Sequence, residues 1–457
     1  MTALQDLSRA VAERKAEWIE GLPYVTGVLR LPDLHMKDGM EAPSSLVVAT
    51  DDVIIPHLVS ESINDGMGLV ATGLSSDDLS SEDAIRILQL INGAGAVSKA
   101  KPSRYSWTPE LLEAACREGA APLLEHYQLD PSFVEMIEDG GRSLSRALTD
   151  DEFTAAVPGY LRRTRLTRSE IGLNFAGNHF LEVQIVDEIV DTEVGDRWGL
   201  RPGQVVVMYH LGPGPLGSIL SNLYAFRAKP QFHRKLGYAF FRNVVHAGKG
   251  RTRRQTFSAF SKWLTLDPHS VEGAAYANVL NVVKNYGFAY RTATIAAIVD
   301  AVHEVSGVPR ESSRLIIDMS HNMLQPELIG GTTFWVSRHN CCRPRPGLPG
   351  IIAGNHQVQS CLTVGPPACD ARLSGYDHGV GFLIDQAQRE GRLGVDPGGF
   401  EITRLVMTRG TDRLHEKRVL PLLDRSPLDG ALHRLSDEGM ARPVAYLRPL
   451  ATLKHKP

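Results

Sequence analysis

The stretch Gly177-Asn178-His179-Phe180-Leu181-Glu182 begins a run of apolar and β-branched residues that continues to residue 190. Such a run, next to a glycine-containing turn, is typical of a buried β-strand. A second run of this kind spans residues 203–210 and ends at His210. The two runs predict strands at the centre of the fold, each with a histidine at one end.

Outside this centre, strand-like and helix-like segments alternate along the chain. Strands are predicted at 315–318, 332–336, 351–353 and 442–453, and two short strands joined at Asp51-Asp52 within 45–56. Helical periodicity predicts helices at 3–20, 82–93, 109–118, 150–157 and 271–304. We therefore expect an α/β (mixed α+β) fold with central mixed β-sheets flanked by helices. No Pro/Ser/Gly-rich linker interrupts the chain, which predicts a single catalytic domain over 1–457 with a small helical insertion at about 100–150.

Composition limits the classes of function. The net charge of −3 gives no global attraction to nucleic acid, so an RNA substrate would need a local basic patch. Two clusters could supply one, although a solvated surface run is the commoner explanation: Arg162, Arg163, Arg165 and Arg168, and Arg251, Arg253, Arg254 and Lys262. The five cysteines, the absence of an apolar signal core and the absence of an apolar run of about 18 residues predict a cytoplasmic protein without a membrane span.

Four histidines stand beside strand-like runs, and we expect each of them just beyond its run in a short polar turn: His179, His210, His321 and His378. A single histidine in this context is usually a core or surface residue, but four of them weaken that explanation. Neutral imidazole is the commonest metal ligand in proteins. The glycines in Asp377-His378-Gly379-Val380-Gly381 permit close approach of a phosphate, so His378 could be a ligand or a covalent nucleophile. The sequence predicts a metalloenzyme centre.

The order of these motifs resembles the RtcB family, whose members join RNA 3′-phosphate or 2′,3′-cyclic phosphate ends to 5′-hydroxyl ends with GTP and manganese. The resemblance extends from Pro32 to Lys454. It rests on Pro-Asp-Leu-His at 32–35, Ile-Ile-Pro at 54–56, Gly-Asn-His-Phe-Leu-Glu at 177–182, Ser-His-Asn at 320–322, His-Gly-Val-Gly at 378–381 and Leu-Arg-Pro-Leu-Ala-Thr-Leu-Lys at 447–454.

The resemblance implies roles for the matching residues. His378 matches the histidine that attacks the α-phosphate of GTP. The residues that match metal-binding positions, for one or two Mn²⁺ or another divalent ion, are Asp65, His179, His210 and His321. The residues placed around the nucleotide are Asn178, Phe180, Glu182, Asn322, Gly354, Asn355, His356, Ser360, Gly379, Gly381 and Lys454.

The chain also departs from the family pattern. Ser62 stands where the family has a metal-binding aspartate, and Asp65 stands where it has a cysteine. Four further positions have lost the family's basic residues: Gly214, His339, Phe382 and Gln386. Because each neutralised phosphate contributes to RNA affinity, these losses predict a remodelled RNA-end site beside a retained metal and nucleotide site.

Three functions therefore remain open. The first is an RtcB-like RNA ligase in RNA repair or tRNA processing, which seals broken ends of tRNA or another structured RNA through a GTP-derived guanylyl-histidine. The second is a metal-dependent nucleotidyltransferase with a changed acceptor. The third is a catalytically impaired pseudoenzyme that binds nucleotide or metal. An unidentified activating protein could supply the missing cations.

Overall fold

Two β-sheets and one long helix form the frame of the molecule. The computed structural model describes residues 2–37, 40–59, 62–94, 104–143, 146–163, 173–224, 263 and 265–456. The strands are β1 Val25–His35, β2 Ser44–Thr50, β3 Gly66–Ser75, β4 Phe180–Ile189, β5 Gln204–Leu211, β6 Arg314–Ser320, β7 Asn322–Ile329, β8 Thr332–His339, β9 Cys341–Cys342, β10 Pro349–Ile352, β11 Ser360–Val364, β12 Tyr376–Asp377, β13 Glu401–Met407, β14 Leu414–Pro421 and β15 Arg442–His455.

The helices lie mainly before β4 and between β5 and β6. They are α1 Thr2–Glu20, α2 Ser81–Ala94, α3 Pro109–Glu118, α4 Ala121–Tyr127, α5 Phe133–Met136, α6 Asp150–Ala156, α7 Gly159–Arg163, α8 Thr192–Arg197, α9 Gly214–Tyr224, α10 Val271–Ser306, α11 Gly381–Arg389 and α12 Ser426–Asp437. In the described part of the chain, no helix is both long enough and apolar enough to cross a membrane.

The larger sheet has nine strands, and its main order is β10-β11-β15-β4-β5-β3-β6. The β13–β14 hairpin extends it, and β13 pairs with β15 in parallel while the neighbouring strands pair antiparallel. The smaller sheet has the order β1-β2-β8-β7, and β9 and β12 form a separate pair. The mixed α/β fold class that the sequence predicts is confirmed.

The central strand β5 is buried over its whole length because both of its faces are covered. Val205, Val207 and Tyr209 enter the apolar core on one side of the sheet, and Val206 and Met208 enter the core on the other side. Side chains alternate across a strand, so a continuous apolar run is what a doubly covered strand requires. This explains why the run at 203–210 is apolar on both faces.

Helix α10 covers one face of the larger sheet. It begins after Ser270, whose hydroxyl accepts a hydrogen bond from the Gly273 amide, and it ends at Gly307 in a left-handed conformation. Its middle is buried on all sides because α2, α3 and α9 pack around it. The helix predicted at 271–304 is therefore confirmed, as are those predicted at 3–20, 82–93, 109–118 and 150–157.

Two local predictions were wrong. The segment 45–56 forms one strand, β2, followed by a turn and a 3₁₀ helix at Pro56–Leu58, because proline lacks the amide that a second strand would need. Residues 64–68, with the sequence Asn-Asp-Gly-Met-Gly, predict a glycine-containing turn, but Gly66 and Gly68 lie in strand β3. A Cβ on Gly68 would lie 2.1 Å from the Tyr209 hydroxyl, so glycine is used here for packing and not for turning.

The helices between residues 104 and 143 pack into the same core as α10. Trp107, Leu112 and Leu123 share that core with Tyr286 of α10. The single-domain organisation and the insertion stay predictions. Of the first arginine cluster, Arg162 is 3.7 Å from Glu113 and lies over the Phe153 ring. Residues 164–172 and 225–262, with the rest of both clusters apart from Arg163, lie outside the described residues.

Candidate active site

Strand pairing brings three of the four histidine motifs, those of His179, His210 and His321, to one end of the larger sheet, and His378 follows β12 of the separate β9–β12 pair. Asp65 immediately precedes β3 and His179 immediately precedes β4, whereas His210 lies near the end of β5 and His321 follows β6. Because these neighbours are antiparallel, the start of one strand lies beside the end of the next: Phe180 pairs with His210, and Gly66 pairs with Ser320. The predicted turn location is correct for His321, whereas His210 lies within a strand and His179 precedes one.

The histidine rings form a continuous cluster. The ring centroids of His179 and His210 are 5.0 Å apart, those of His210 and His321 are 4.7 Å apart, and those of His321 and His378 are 4.5 Å apart. The Nε2 atoms of His210 and His321 approach to 3.2 Å. Asp65 completes the group, since its Oδ2 lies 3.5 Å from His179 Nε2.

This cluster has the donor set of a divalent metal site. Among the described residues, three buried atoms of the cluster have no hydrogen-bond partner: Asp65 Oδ1, His179 Nδ1 and His321 Nδ1. Leaving the carboxylate oxygen of Asp65 unsatisfied is costly, whereas a bound cation would satisfy it. Nitrogens that share one ion at about 2.1 Å lie about 3.0–3.4 Å apart, which fits the separation of His210 and His321. Together with His378 these two histidines offer ligand atoms within 4.8 Å of one another.

His378 is held as a neutral imidazole with one free nitrogen. Its Nδ1 lies 2.8 Å from the carbonyl oxygen of Asn340, so Nδ1 carries the hydrogen and Nε2 carries the lone pair. Burial, followed by repulsion from Lys37, lowers the pKa of His378 to about 3. Burial also lowers the pKa of His210 and His321 well below the usual range. The three rings are therefore available as lone-pair donors at neutral pH.

A cavity of about 320 Å³ opens beside His210 and His378. The predicted residues that line it are Asn178, Phe180, Glu182, Gly354, Asn355, His356, Gly379, Gly381 and Lys454. Ser360 lies behind the wall, where its hydroxyl accepts a hydrogen bond from the Gly354 amide. Asn322 does not line the cavity either, and its Oδ1 accepts a hydrogen bond from the Asn340 amide, next to the carbonyl that holds His378.

The far end of the cavity carries a buried carboxyl group. Glu182 Oε2 accepts a hydrogen bond from Gln184, and burial raises the pKa of Glu182 to about 7. Thr452 pairs with Glu182 across β15 and β4, which brings Lys454 to the same end. Lys454 donates a hydrogen bond to the carbonyl oxygen of Gly177.

Several residues of the cavity wall were not among the predicted site residues: Asp33, His35, Lys37, Ala353, Phe382, Asp385 and Thr452. The first three belong to the segment Pro-Asp-Leu-His-Met-Lys-Asp-Gly at 32–39, and the density of polar groups in this segment was the available signal. His35 stacks on Phe382 with ring centroids 4.6 Å apart. Asp385 and Thr452 carry no comparable signal, because only the fold brings their elements to the cavity.

A buried ion pair fixes the loops that carry Asp65 and His321. Arg291 of α10 is fully buried and makes a two-pronged contact with Asp318, with nitrogen–oxygen distances of 2.7 and 2.9 Å. Its remaining nitrogen donates to the Asn64 carbonyl at 2.6 Å. The His321 amide in turn donates to the Asp65 carbonyl at 2.9 Å. The long helix thus positions both candidate metal ligands.

Comparisons with known proteins identify the family of the chain. A model of the family described as tRNA-splicing ligase RtcB matches residues 16–455. The chain belongs to the RtcB family. It is 24% identical to the tRNA-splicing ligase RtcB of Thermococcus kodakarensis, over 98% of this chain and 93% of that relative. It is 26% identical to the RNA-splicing ligase RtcB of Mycobacterium tuberculosis, over 93% of this chain and 96% of that relative.

A third RtcB relative is much longer. The tRNA-splicing ligase RtcB of Pyrococcus furiosus is 24% identical over 86% of this chain, which spans 40% of the length of that relative.

The positions matched to lost basic residues of the RtcB family have other contacts here. A Cβ on Gly214 would lie 2.9 Å from Tyr286 and Tyr290, so a longer side chain would displace those rings. Phe382 stacks on His35, and Gln386 donates a hydrogen bond to Glu390. The neighbouring side chains at these three positions are thus compatible with Gly214, Phe382 and Gln386.

Proposed function

We propose that the chain is a metal- and GTP-dependent RNA ligase that joins RNA 3′-phosphate or 2′,3′-cyclic phosphate ends to 5′-hydroxyl ends, in RNA repair or tRNA processing. Family membership and the names of the relatives support the RNA ligase class. The observation that carries the chemistry is the His378 tautomer. Its Nδ1–H is engaged by the Asn340 carbonyl and its Nε2 lone pair is free beside the cavity.

His378 is the nucleophile in this proposal. Its Nε2 attacks the α-phosphorus of GTP, a nitrogen–phosphorus bond forms, the bond to the β-phosphate oxygen breaks and pyrophosphate leaves. The imidazole becomes cationic when Nε2 is bonded to phosphorus. The Asn340 carbonyl, as acceptor of the Nδ1–H, stabilises that charge. A 2′,3′-cyclic end is first opened by water to a 3′-phosphate. The guanylyl group then passes from Nε2 to the RNA 3′-phosphate as the nitrogen–phosphorus bond breaks, and the 5′-hydroxyl attacks that phosphate and releases GMP as the ends join.

Asp65, His179, His210 and His321 would hold the divalent cation, with one or two Mn²⁺ as the expected ions. When bound, such an ion neutralises negative charge on the phosphates. The unpartnered Asp65 oxygen and the converging Nε2 atoms of His210 and His321 support this assignment. Ser62 hydrogen-bonds to Asp65, and a serine is a weaker ligand than the aspartate of the family, which favours one ion over two.

The guanine nucleotide would occupy the cavity, with its base towards Glu182 and Lys454 and its phosphates towards the histidines. Both ends line the same cavity, and Gly379 and Gly381 lie next to His378 with little side-chain obstruction. Backbone amides at glycines approach phosphate oxygens closely, which orients the reacting group.

A second candidate is nucleotidyl transfer to a different acceptor. The observation that favours it is the stack of Phe382 on His35, which places an apolar ring in the cavity wall near His378. The Phe382 ring offers no charge to a phosphorylated RNA end, whereas a less charged acceptor could pack against it.

The test has two stages. Purified protein is incubated with GTP and MnCl₂, and the intact mass is measured for the wild type, for His378→Ala and for His303→Ala as a control histidine on α10. We expect a guanylyl mass shift in the wild type and the control and none in His378→Ala. Absence of the shift in the wild type would refute the covalent step and favour the pseudoenzyme.

In the second stage, the guanylylated protein is given tRNA halves with a 3′-phosphate and a 5′-hydroxyl. Sealing supports the ligase. A mass shift without sealing would instead support the changed acceptor.

A further inference from the structure

The cavity is electrically asymmetric at neutral pH. Burial lowers the pKa of its His35 and His356 to about 4, so these rings carry no charge. The cations among its described lining residues are Lys37 and Lys454. The two lysines interact with different acidic groups: Lys37 with Asp33 and Asp65, and Lys454 with Glu182 and Asp385.

Lys454 has partners of its own. It donates a hydrogen bond to the Gly177 carbonyl at 2.9 Å. It is also attracted by Glu182 and by Asp385, both of which line the cavity with it. This lysine therefore serves the Glu182 end.

Lys37 belongs to the histidine end. It lies two residues after the end of β1 and lines the cavity with His210 and His378. Its charge is among the causes that lower the pKa of His378, after burial, and it also acts on His210 and His321. Within the described residues, no hydrogen bond or ion pair holds its ammonium group.

An ammonium group in this position is costly to the protein alone. Burial lowers the pKa of Lys37, and the attraction of Asp33 and Asp65 offsets this only in part. Three N–H donors are left facing a cavity whose histidines offer no negative charge. A phosphate group in the cavity would supply the missing acceptors through charge-assisted hydrogen bonds.

We propose that Lys37 binds the phosphate group that reacts at His378. This inference rests on the proposed function. The phosphate comes from one of two sources, the polyphosphate tail of the nucleotide or the terminal phosphate of the acceptor. Lys37, which follows β1, would then supply a cation at the reacting phosphate. It would do so beside Phe382, one of the positions at which the chain has lost a basic residue of the family.

The test compares Lys37→Met with Lys37→Arg and with Lys417→Met, which removes an exposed lysine of β14. Guanylylation of the protein is measured against GTP concentration, and transfer is measured from pre-guanylylated protein to an oligonucleotide with a 3′-phosphate. We expect Lys37→Met to lose about 10- to 100-fold in one of these two steps, the fold-change that a charged hydrogen bond provides. Lys37→Arg should recover part of the loss, and Lys417→Met should behave as wild type.

The step that is lost identifies the source. A raised half-saturating GTP concentration with normal transfer assigns Lys37 to the nucleotide tail, and normal guanylylation with slow transfer assigns it to the acceptor. Wild-type values for Lys37→Met in both steps would overturn the inference.

Binding of inorganic tripolyphosphate, measured by calorimetry, covers the case in which the wild type forms no adduct. There the proposed function fails, but weaker tripolyphosphate binding by Lys37→Met than by Lys417→Met would still support the phosphate site. Equal binding would refute it.

Discussion

Replacing Arg291 by methionine tests whether the long helix holds the candidate metal ligands in place. The substitution removes a fully buried guanidinium and leaves the Asp318 carboxylate, 1% exposed, with the Tyr209 hydroxyl at 2.7 Å as its remaining side-chain donor. It also leaves the Asn64 carbonyl without the nitrogen that lies 2.6 Å away. Breaking a buried pair from one side costs about 3–5 kcal/mol, because the other charge stays buried. We expect the free energy of unfolding to fall by about that amount.

The assay is urea denaturation, with Mn²⁺ affinity measured by calorimetry under native conditions. Arg413→Met, on an exposed arginine, should change stability by less than about 0.5 kcal/mol. The double variant Arg291→Met/Asp318→Asn should recover part of the loss, since the uncompensated charge is removed. Mn²⁺ affinity should fall in Arg291→Met because Asn64 adjoins Asp65. A loss below about 1 kcal/mol, or unchanged metal affinity, would refute the positioning role.

Three further outcomes are expected. Gly68→Ala should lower the melting temperature, because its Cβ would lie 2.1 Å from the Tyr209 hydroxyl, whereas Gly93→Ala in α2 meets nothing within 4 Å and should be neutral or stabilising. Because burial raises the pKa of Glu182 to about 7, ionisation of this group lowers the stability of the wild type as the pH rises from about 4 to 7. The stability of Glu182→Gln relative to wild type should therefore increase over that range. A difference in denaturation midpoints that does not change with pH would contradict the burial effect. Asp65→Asn should weaken Mn²⁺ binding by about tenfold or more in calorimetry, and wild-type affinity would exclude Asp65 as a ligand.

Patterns of neighbouring residues in the sequence predicted the helices and strands that such patterns determine. The helix at Val271–Ser306 has a serine cap, a terminal glycine and a long apolar stretch, and its predicted bounds were wrong by two residues at one end. Strand β5 was predicted because a strand covered on both faces needs an unbroken apolar run. Strand β3 was missed because its glycines indicate turns in isolation. Glycine is needed at these positions because Tyr209 and Arg291 occupy the space of a side chain, and this contact exists only in the folded sheet.

The candidate site was likewise predicted only in the part that short sequence motifs determine. The sequence motifs identified four histidines, and the structure places all four in one cluster. The wall contributed by Asp33, Lys37 and Asp385 could not be derived from spacing, because β1 and α11 come from opposite ends of the chain. Asn340 could not be found either, since its role rests on a backbone carbonyl that every residue type possesses.

The Asn340 carbonyl limits how one histidine cluster can both bind a metal ion and supply the nucleophile. His378 has two ring nitrogens, and its Nδ1 is engaged with Asn340 at 2.8 Å. The single remaining lone pair on Nε2 serves either a cation or the α-phosphorus, not both. An ion bound jointly by His210, His321 and His378 would therefore occupy the nucleophile. Asp65 and His179, which include the unpartnered carboxylate oxygen, would hold the ion while Nε2 of His378 stays available to the nucleotide. Loss of Asp65 should consequently impair guanylylation, because the donors that remain for the ion would include the nucleophile itself.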